Sequence, residues 1–97
     1  MPVKLSSAEV QSALTDLPGW KLVDGKLHRE YRFHDFTLAF GFMAASATAI
    51  ERMNHHPEWS NVYGTVVVNL TTHDAGGITK NDLALAATLE KVAQRLL

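Results

Sequence analysis

Apolar side chains recur at helical spacing in three segments of the chain. A capping-box pattern at residues 6–9 begins the first segment, and Pro-Gly at residues 18–19 ends it. Asp35 is a suitable N-cap for the second and longest segment, which covers residues 36–53. A second pattern of the capping-box kind, at residues 79–82, begins the third. The spacing therefore predicts three helices.

The segments between these helices alternate apolar and polar residues as strands do. Residues 20–23 and 26–33 flank Asp24-Gly25, a dipeptide that favours a two-residue hairpin turn. Residues 61–72 form a third β-rich run, which Tyr63-Gly64 is expected to divide into a short and a long strand. The resulting order, α-β-β-α-β-β-α over residues 1–97, predicts one α+β domain. We expect two layers, with a four-stranded antiparallel sheet carrying three helices on one face.

The second predicted helix is apolar around most of its circumference. One stripe along it consists of Phe36, Phe40, Met43, Ala47 and Ile50. A second stripe consists of Phe42, Ala45, Ala49 and Met53. A two-layer domain covers only one side of such a helix with its own sheet, so we expect the second stripe to contact another subunit. The alternative is that this stripe packs under the other two helices.

Composition narrows the classes of function. The chain has 97 residues, 46% of them hydrophobic, a formal net charge of -1 and no cysteine. A near-neutral charge gives no general reason to expect nucleic acid or an anionic membrane as a partner. The absence of cysteine excludes disulfides, thiolate zinc sites and a cysteine nucleophile. The N-terminal residues lack a signal-peptide profile and no apolar run is long enough to span a bilayer, so we expect a soluble, cytoplasmic protein.

Three of the five histidines mark the candidate site. His55 and His56 follow the long helix, and His73 follows the most β-rich run. Histidine exchanges protons near neutrality because its ordinary pKa is about 6.5. Glu51 precedes His55 by four residues, so on a continuing helix its carboxylate would orient that imidazole. Trp59 could form a wall of the same cavity.

Other interpretations of these residues remain open at this point. His28 and His34 are more simply explained as polar groups without a catalytic role. Three imidazoles could also hold zinc, although the chain has no His-Glu-x-x-His helix to support that reading. Proton transfer by histidine is the interpretation that we carry forward.

The same residues resemble a known family. Residues 51–63, with their His-His-Pro-Glu-Trp core, residues 66–70, Thr72-His73 and the spaced Asp82 are similar to the pterin-4a-carbinolamine dehydratases. The resemblance also includes the start of the long helix and covers most of the chain. It implies a hydro-lyase that converts 4a-hydroxytetrahydrobiopterin to quinonoid dihydropterin and water. Such an enzyme recycles the pterin of aromatic amino acid hydroxylases, chiefly phenylalanine hydroxylase.

The resemblance also implies site residues, cofactors and partners. The implied catalytic residues are Glu51, His55, His56 and His73. The implied substrate contacts are Asn54, His55, His56, Pro57, Trp59, Thr71, Thr72, His73 and Asp74. No metal or organic cofactor is expected. The expected assembly is a homodimer or homotetramer through the 36–53 helix.

A second function and three departures accompany the resemblance. Some animal members bind a homeodomain transcription factor, so the alternative function is a non-catalytic dimerisation cofactor acting through the central helix. Asn54 stands where many members have Asp, and Asp74 where many have Glu. Ala75 replaces a cysteine of some animal members. None of these departures removes a motif histidine, so we expect activity.

Overall fold

The computed structural model describes residues 2–97. Its helices are α1 (Ser7–Leu14), α2 (Phe36–Met53) and α3 (Lys80–Gln94), and its strands are β1 (Lys21–Val23), β2 (Lys26–Arg32), β3 (Glu58–Val62) and β4 (Thr65–Leu70). A short 3₁₀ turn, His73–Ala75, lies between β4 and α3. The four strands form one antiparallel sheet in the order β1-β2-β4-β3, which confirms the predicted α+β fold with three helices. No helix within the described residues has both the length and the apolarity of a membrane span.

The core lies between the sheet and the helices, as the alternation of residues in β2 and β4 predicts. Leu27 and Tyr31 of β2 are fully buried, and so are Val66 and Val68 of β4. His28 and Glu30 of β2 and Val67 of β4 alternate with them and point to the opposite, helix-free face of the sheet. Burying one face of each strand fixes the register, because a shift of one residue would expose the apolar set.

Local sequence signals place the helix starts correctly. Ser6 and Glu9 form the predicted capping box of α1. The Asp35 side chain accepts a hydrogen bond from the Leu38 amide at the start of α2. Thr79 and Asp82 form the second predicted capping box at the start of α3. In each case a side-chain oxygen accepts from an amide that the first helical turn leaves unpaired.

The two hairpin turns set the remaining strand boundaries. Asp24 and Gly25 both have positive φ, 51° and 77°, as the predicted two-residue turn requires. Tyr63-Gly64 separates β3 from β4, but β3 begins at Glu58 rather than at residue 61. In the β3–β4 hairpin, Glu58 pairs with Asn69. This pairing extends β3 back over residues 58–60, which the sequence pattern alone does not predict as strand.

Burial along α2 does not follow the two predicted stripes, since each stripe has both buried and exposed residues. Phe42 and Ala49 of the second stripe pack into the core, as do Ala39 and Ile50. Phe36 and Phe40 of the first stripe are more than half exposed. The prediction that the second stripe contacts another subunit is therefore wrong for Phe42, whose ring packs against those of Tyr31, Phe33 and Trp59. The exposed aromatic surface lies on the other side of the helix.

Arg29 is the residue of β2 that departs from the alternation, and α3 explains it. Its Nε atom lies 3.5 Å from Glu90 Oε1, and its guanidinium lies 4.4 Å from the centre of the Tyr31 ring. The same oxygen of Glu90 accepts hydrogen bonds from Tyr31 Oη at 2.6 Å and from Trp20 Nε1 at 2.9 Å. Burial by itself would raise the pKa of Glu90, but hydrogen bonds from Tyr31, Gln94 and Trp20, with the charge of Arg29, hold it below its usual value.

Candidate active site

The two histidine-bearing segments meet at one end of the sheet. They enclose an open cavity of about 300 Å³ that is lined by Asn54, His55, His56, Thr71, Thr72, His73 and Asp74. Residues 54–56 lie between α2 and β3, and residues 71–74 follow β4 and include the start of the 3₁₀ turn. The convergence that the sequence suggested is therefore present in the fold.

Two of the predicted substrate contacts lie outside this cavity. Trp59 is on the inner face of β3, where its ring meets Phe42 edge-on at 6.1 Å between ring centres. Pro57, just before β3, is not among the lining residues. Because side chains alternate along a strand, Trp59 belongs to the core rather than to the cavity wall.

A change of backbone direction at Asn54 presents both adjacent histidines to the cavity. Met53 is the last residue of α2, and Asn54 adopts the left-handed conformation with φ 49° and ψ 43°. Asn is one of the few non-glycine residues that enter this region readily. The helix therefore ends before His55, and the prediction that Glu51 and His55 share a helical face is wrong.

Asp82, not Glu51, is the carboxylate that holds His55. The distance from His55 Nε2 to Asp82 Oδ1 is 2.5 Å. Asp82 is fully buried, and its Oδ2 accepts from Thr72 Oγ1 and from the Thr79 amide, each at 2.8 Å. Because Asp82 Oδ1 is placed as the acceptor in this contact, the hydrogen of His55 is assigned to Nε2. This leaves Nδ1 of His55 free to exchange a proton with a ligand.

The buried threonines complete this network. Thr72 Oγ1 and Thr79 Oγ1 are 2.9 Å apart. Because the single hydroxyl hydrogen of Thr72 is donated to Asp82, Thr79 must be the donor between the two hydroxyls. Thr72 lines the cavity, while its hydroxyl hydrogen is donated to the Asp82 carboxylate.

Glu51 pairs with the second histidine of the motif. His56 Nε2 lies 2.8 Å from Glu51 Oε1, and both side chains are largely exposed. Glu51 thus contacts His56 rather than His55, its predicted partner. The change of backbone direction at Asn54 explains this, because it turns His55 inward and leaves His56 beside the last turn of α2.

His73 also has a carboxylate partner. Its Nε2 lies 3.0 Å from Glu58 Oε2, and Glu58 Oε1 lies 2.6 Å from Lys26 Nζ. The hydrogen bond from Lys26 and, to a smaller extent, the one from His73 hold the pKa of Glu58 below its usual value. Glu58 thus stays ionised and accepts a hydrogen bond from His73 Nε2–H.

The geometry gives the site one repeated arrangement. Each cavity histidine places its Nε2 within hydrogen-bond distance of a separate carboxylate, and a ring that donates from Nε2 has its Nδ1 available for proton exchange. In the part of the chain that the structure describes, no three His, Cys, Asp or Glu side chains group as a metal site would require. The remaining two histidines are elsewhere: His28 pairs with Asn69 at 2.8 Å, and His34 is exposed. The arrangement suits the movement of protons within a small, open cavity.

Sequence reasoning missed the functions of two acidic residues. Asp82 was evident as a capping-box residue and as part of the family motif, but nothing in its spacing indicates contact with His55, 27 positions away. Glu58 belongs to the histidine motif, yet its partner His73 is 15 positions distant. Both contacts depend on how the end of α2, the sheet and the start of α3 come together.

Comparisons with known proteins show which family the chain resembles. The family model for pterin 4 alpha carbinolamine dehydratase matches residues 3–92. A relative from Solibacter usitatus that carries the name of these dehydratases is 58% identical over 93 residues, which cover 96% of this chain and 98% of the relative. One from Prochlorococcus marinus (strain MIT 9303), with the same name, is 51% identical over 85 residues and 88% of each chain.

A solved structure shows the same fold. The crystal structure of a transcriptional coactivator/pterin dehydratase from Brucella melitensis superimposes with a TM-score of 0.89 at 42% sequence identity. The match covers 93% of this chain and 98% of that one. The observed arrangement of helices and strands is therefore shared with a protein of that description.

Proposed function

The chain belongs to the pterin 4 alpha carbinolamine dehydratase family, and on this premise we propose that it removes water from 4a-hydroxytetrahydropterin, giving quinonoid dihydropterin. The observation that carries the proposal is the meeting of His55, His56 and His73 at one cavity, each on its own carboxylate. A volume of about 300 Å³ lies at the lower end of the range for small-molecule sites.

The reaction needs two proton transfers. The carbon C4a of the substrate carries a hydroxyl group and is bonded to N5, which carries hydrogen. An acid protonates the hydroxyl, the C–O bond breaks with its electron pair leaving in water, and the N5 lone pair stabilises the developing cation. A base then removes the N5 hydrogen, and a C4a–N5 double bond forms. The proton that the acid gives is balanced by the proton that the base takes.

The contacts of the three histidines support a division of these roles. His55 has a buried carboxylate behind its Nε2–H and a free Nδ1, the arrangement by which carboxylates stabilise an imidazolium in catalytic triads. We assign His55 the role of the base that takes the N5 hydrogen. His73 is assigned the acid, and His56, held by Glu51, polarises the ring and shares the acid role. Asn54, Thr71 and Asp74 would contact the polar edge of the pterin from the cavity lining.

The test follows the decay of enzymatically generated carbinolamine by ultraviolet absorbance. Each proton transfer is worth roughly 10²- to 10⁴-fold in rate, so His55→Ala and His73→Ala should each lower kcat by about that factor. His34→Ala is the matched control, because His34 is an exposed histidine outside the cavity. Wild-type rates in both cavity variants would contradict the assignment.

The product of this reaction also indicates its place in metabolism. Quinonoid dihydropterin requires a reductase to return it to tetrahydropterin, and the carbinolamine is formed by pterin-dependent hydroxylases of aromatic amino acids. We therefore propose a functional link to such a hydroxylase, with phenylalanine hydroxylase as the first candidate. Adding the protein to a hydroxylase assay should raise the rate at which the hydroxylase uses recycled pterin.

A second proposal concerns assembly through α2. Phe36 and Phe40 are 54% and 56% exposed, and their rings lie 5.9 Å apart on the side of the helix away from the core. Exposed aromatic pairs of this kind are typical of subunit contacts. We propose a homodimer or homotetramer through this surface. Light scattering after size exclusion should show that Phe40→Asp lowers the mass of the assembly, whereas Val3→Asp, at an even more exposed apolar residue, does not.

The name of the Brucella melitensis protein includes a coactivator role, which makes a non-catalytic interaction module the second candidate function. The same Phe36–Phe40 surface would then bind the partner. Under this alternative, Phe40→Asp abolishes function while the histidine variants leave it intact. Under the dehydratase proposal, the histidine variants lose activity.

A further inference from the structure

The helix-free face of the sheet holds an ion pair, Glu58 with Lys26, that lies beside the candidate site and contacts His73. We propose that Glu58, held in place by Lys26, is a positioning residue that orients His73 for proton transfer. This inference rests on the proposed dehydratase function and adds a residue pair to it. Neither Glu58 nor Lys26 lines the cavity.

The sheet brings the three residues together from separate strands. Glu58 is the first residue of β3 and pairs with Asn69 of β4. Lys26 is the first residue of β2, on the other side of β4. His73 follows β4 at the same end of the sheet. Lys26 therefore reaches across β4 to Glu58 Oε1 at 2.6 Å, while Glu58 Oε2 meets His73 Nε2 at 3.0 Å.

The two carboxylate oxygens have different tasks in this arrangement. Oε1 accepts from the Lys26 ammonium, which fixes the carboxylate and keeps it ionised. Oε2 accepts from His73 Nε2–H, so in the imidazolium that acts as the acid the proton to be given is on Nδ1, the nitrogen that can face the substrate. Without Glu58, the exposed ring of His73 would be free to rotate and to carry its hydrogen on either nitrogen.

Exposure indicates that this pairing contributes little to the stability of the fold. The side chains of Lys26, Glu58 and His73 are 36%, 43% and 76% exposed. Exposed ion pairs contribute little to the free energy of unfolding. The same face of the sheet carries a matched pair, Glu30 with Arg32 at 2.8 Å, four residues along β2 from Lys26 and away from any cavity histidine.

The experiment compares Glu58→Ala, Glu58→Gln and Lys26→Met with the control Glu30→Ala. The ¹⁵N chemical shifts of the neutral His73 ring report which nitrogen carries hydrogen, and steady-state kinetics separate kcat from KM. Glu58→Ala should lower kcat about two- to fivefold, the range for an exposed ion pair, with KM nearly unchanged. It should also move His73 towards a mixture of tautomers. Glu58→Gln keeps an accepting oxygen and should retain the Nε2–H tautomer.

The outcomes separate this inference from the dehydratase proposal. Glu30→Ala should match the wild type in kcat and in the His73 tautomer, and Lys26→Met should show a smaller loss of kcat than Glu58→Ala. Equal kcat values for Glu58→Ala and Glu30→Ala, or an unchanged His73 tautomer in Glu58→Ala, would overturn the positioning role. A wild-type protein without dehydratase activity would overturn the proposed function, while the tautomer would still show whether Glu58 orients His73.

Discussion

The buried contact between Asp82 and His55 allows the sharpest test of the site. Asp82→Asn keeps the size of the side chain but replaces one accepting oxygen with an NH₂ donor. The remaining oxygen can still accept from Thr72 and Thr79 if the NH₂ group faces His55. His55 Nε2 must then become an acceptor, and its hydrogen moves to Nδ1.

The expected loss of stability is moderate. A hydrogen bond to a charged group contributes roughly 1.5–3 kcal/mol and a neutral one about 0.5–1.5 kcal/mol, so the exchange should cost about 1–2 kcal/mol. For a domain of this length, that corresponds to a Tm lower by about 4–16 °C. The variant should therefore remain folded at room temperature, since domains of this kind are stable by about 5–15 kcal/mol.

The expected loss of activity is much larger. With hydrogen on Nδ1, His55 cannot take the N5 proton, and kcat should fall by roughly 10²- to 10⁴-fold. Carbinolamine decay measures kcat, ¹⁵N shifts of His55 measure the tautomer, and circular dichroism measures Tm. Asp35→Asn is the matched control, because Asp35 also binds a helix-starting amide and Asn caps helices equally well. A folded Asp82→Asn protein with kcat within threefold of wild type, or with hydrogen still on His55 Nε2, would refute this reasoning.

Three further predictions concern stability and metal. The pKa of Glu90 is held below its ordinary value of 4.5. The ionised carboxylate therefore contributes its full stabilisation above about pH 4.5, and this contribution is lost as the pH falls below that value. On acidification below about pH 4.5, Tm should fall more steeply in wild type than in Glu90→Gln. A Cβ atom at Gly64 would lie 2.5 Å from the Phe33 carbonyl oxygen, so Gly64→Ala should cost about 1–3 kcal/mol in a urea titration, and an unchanged midpoint would contradict that close contact. Treatment with a chelator should leave the dehydratase rate unchanged, whereas stoichiometric zinc with loss of activity on its removal would favour the metal alternative.

Local patterns in the sequence were sufficient for most of the fold. The capping residues Ser6, Asp35 and Thr79 and the Asp24-Gly25 turn act on neighbouring residues, so their effect can be predicted without the rest of the chain. The alternation in β4 likewise shows which face is buried, because the period of a strand is two. The three histidines that line the cavity could also be identified from the sequence, because their residue type and their place in the family motif are visible there.

Tertiary structure decided which groups contact these residues. Whether Glu51 or Asp82 holds His55 depends on the left-handed turn at Asn54 and on where α3 begins, and neither is visible in residue spacing. The exposed side of α2 could not be predicted either, because Phe40 and Phe42 are equally apolar and only packing against the sheet distinguishes them. Sequence alone therefore identified the candidate side chains for the chemistry, since residue type and motif mark them. The fold determined their partners and tautomers, because hydrogen bonds form between atoms that are close in space and not along the chain.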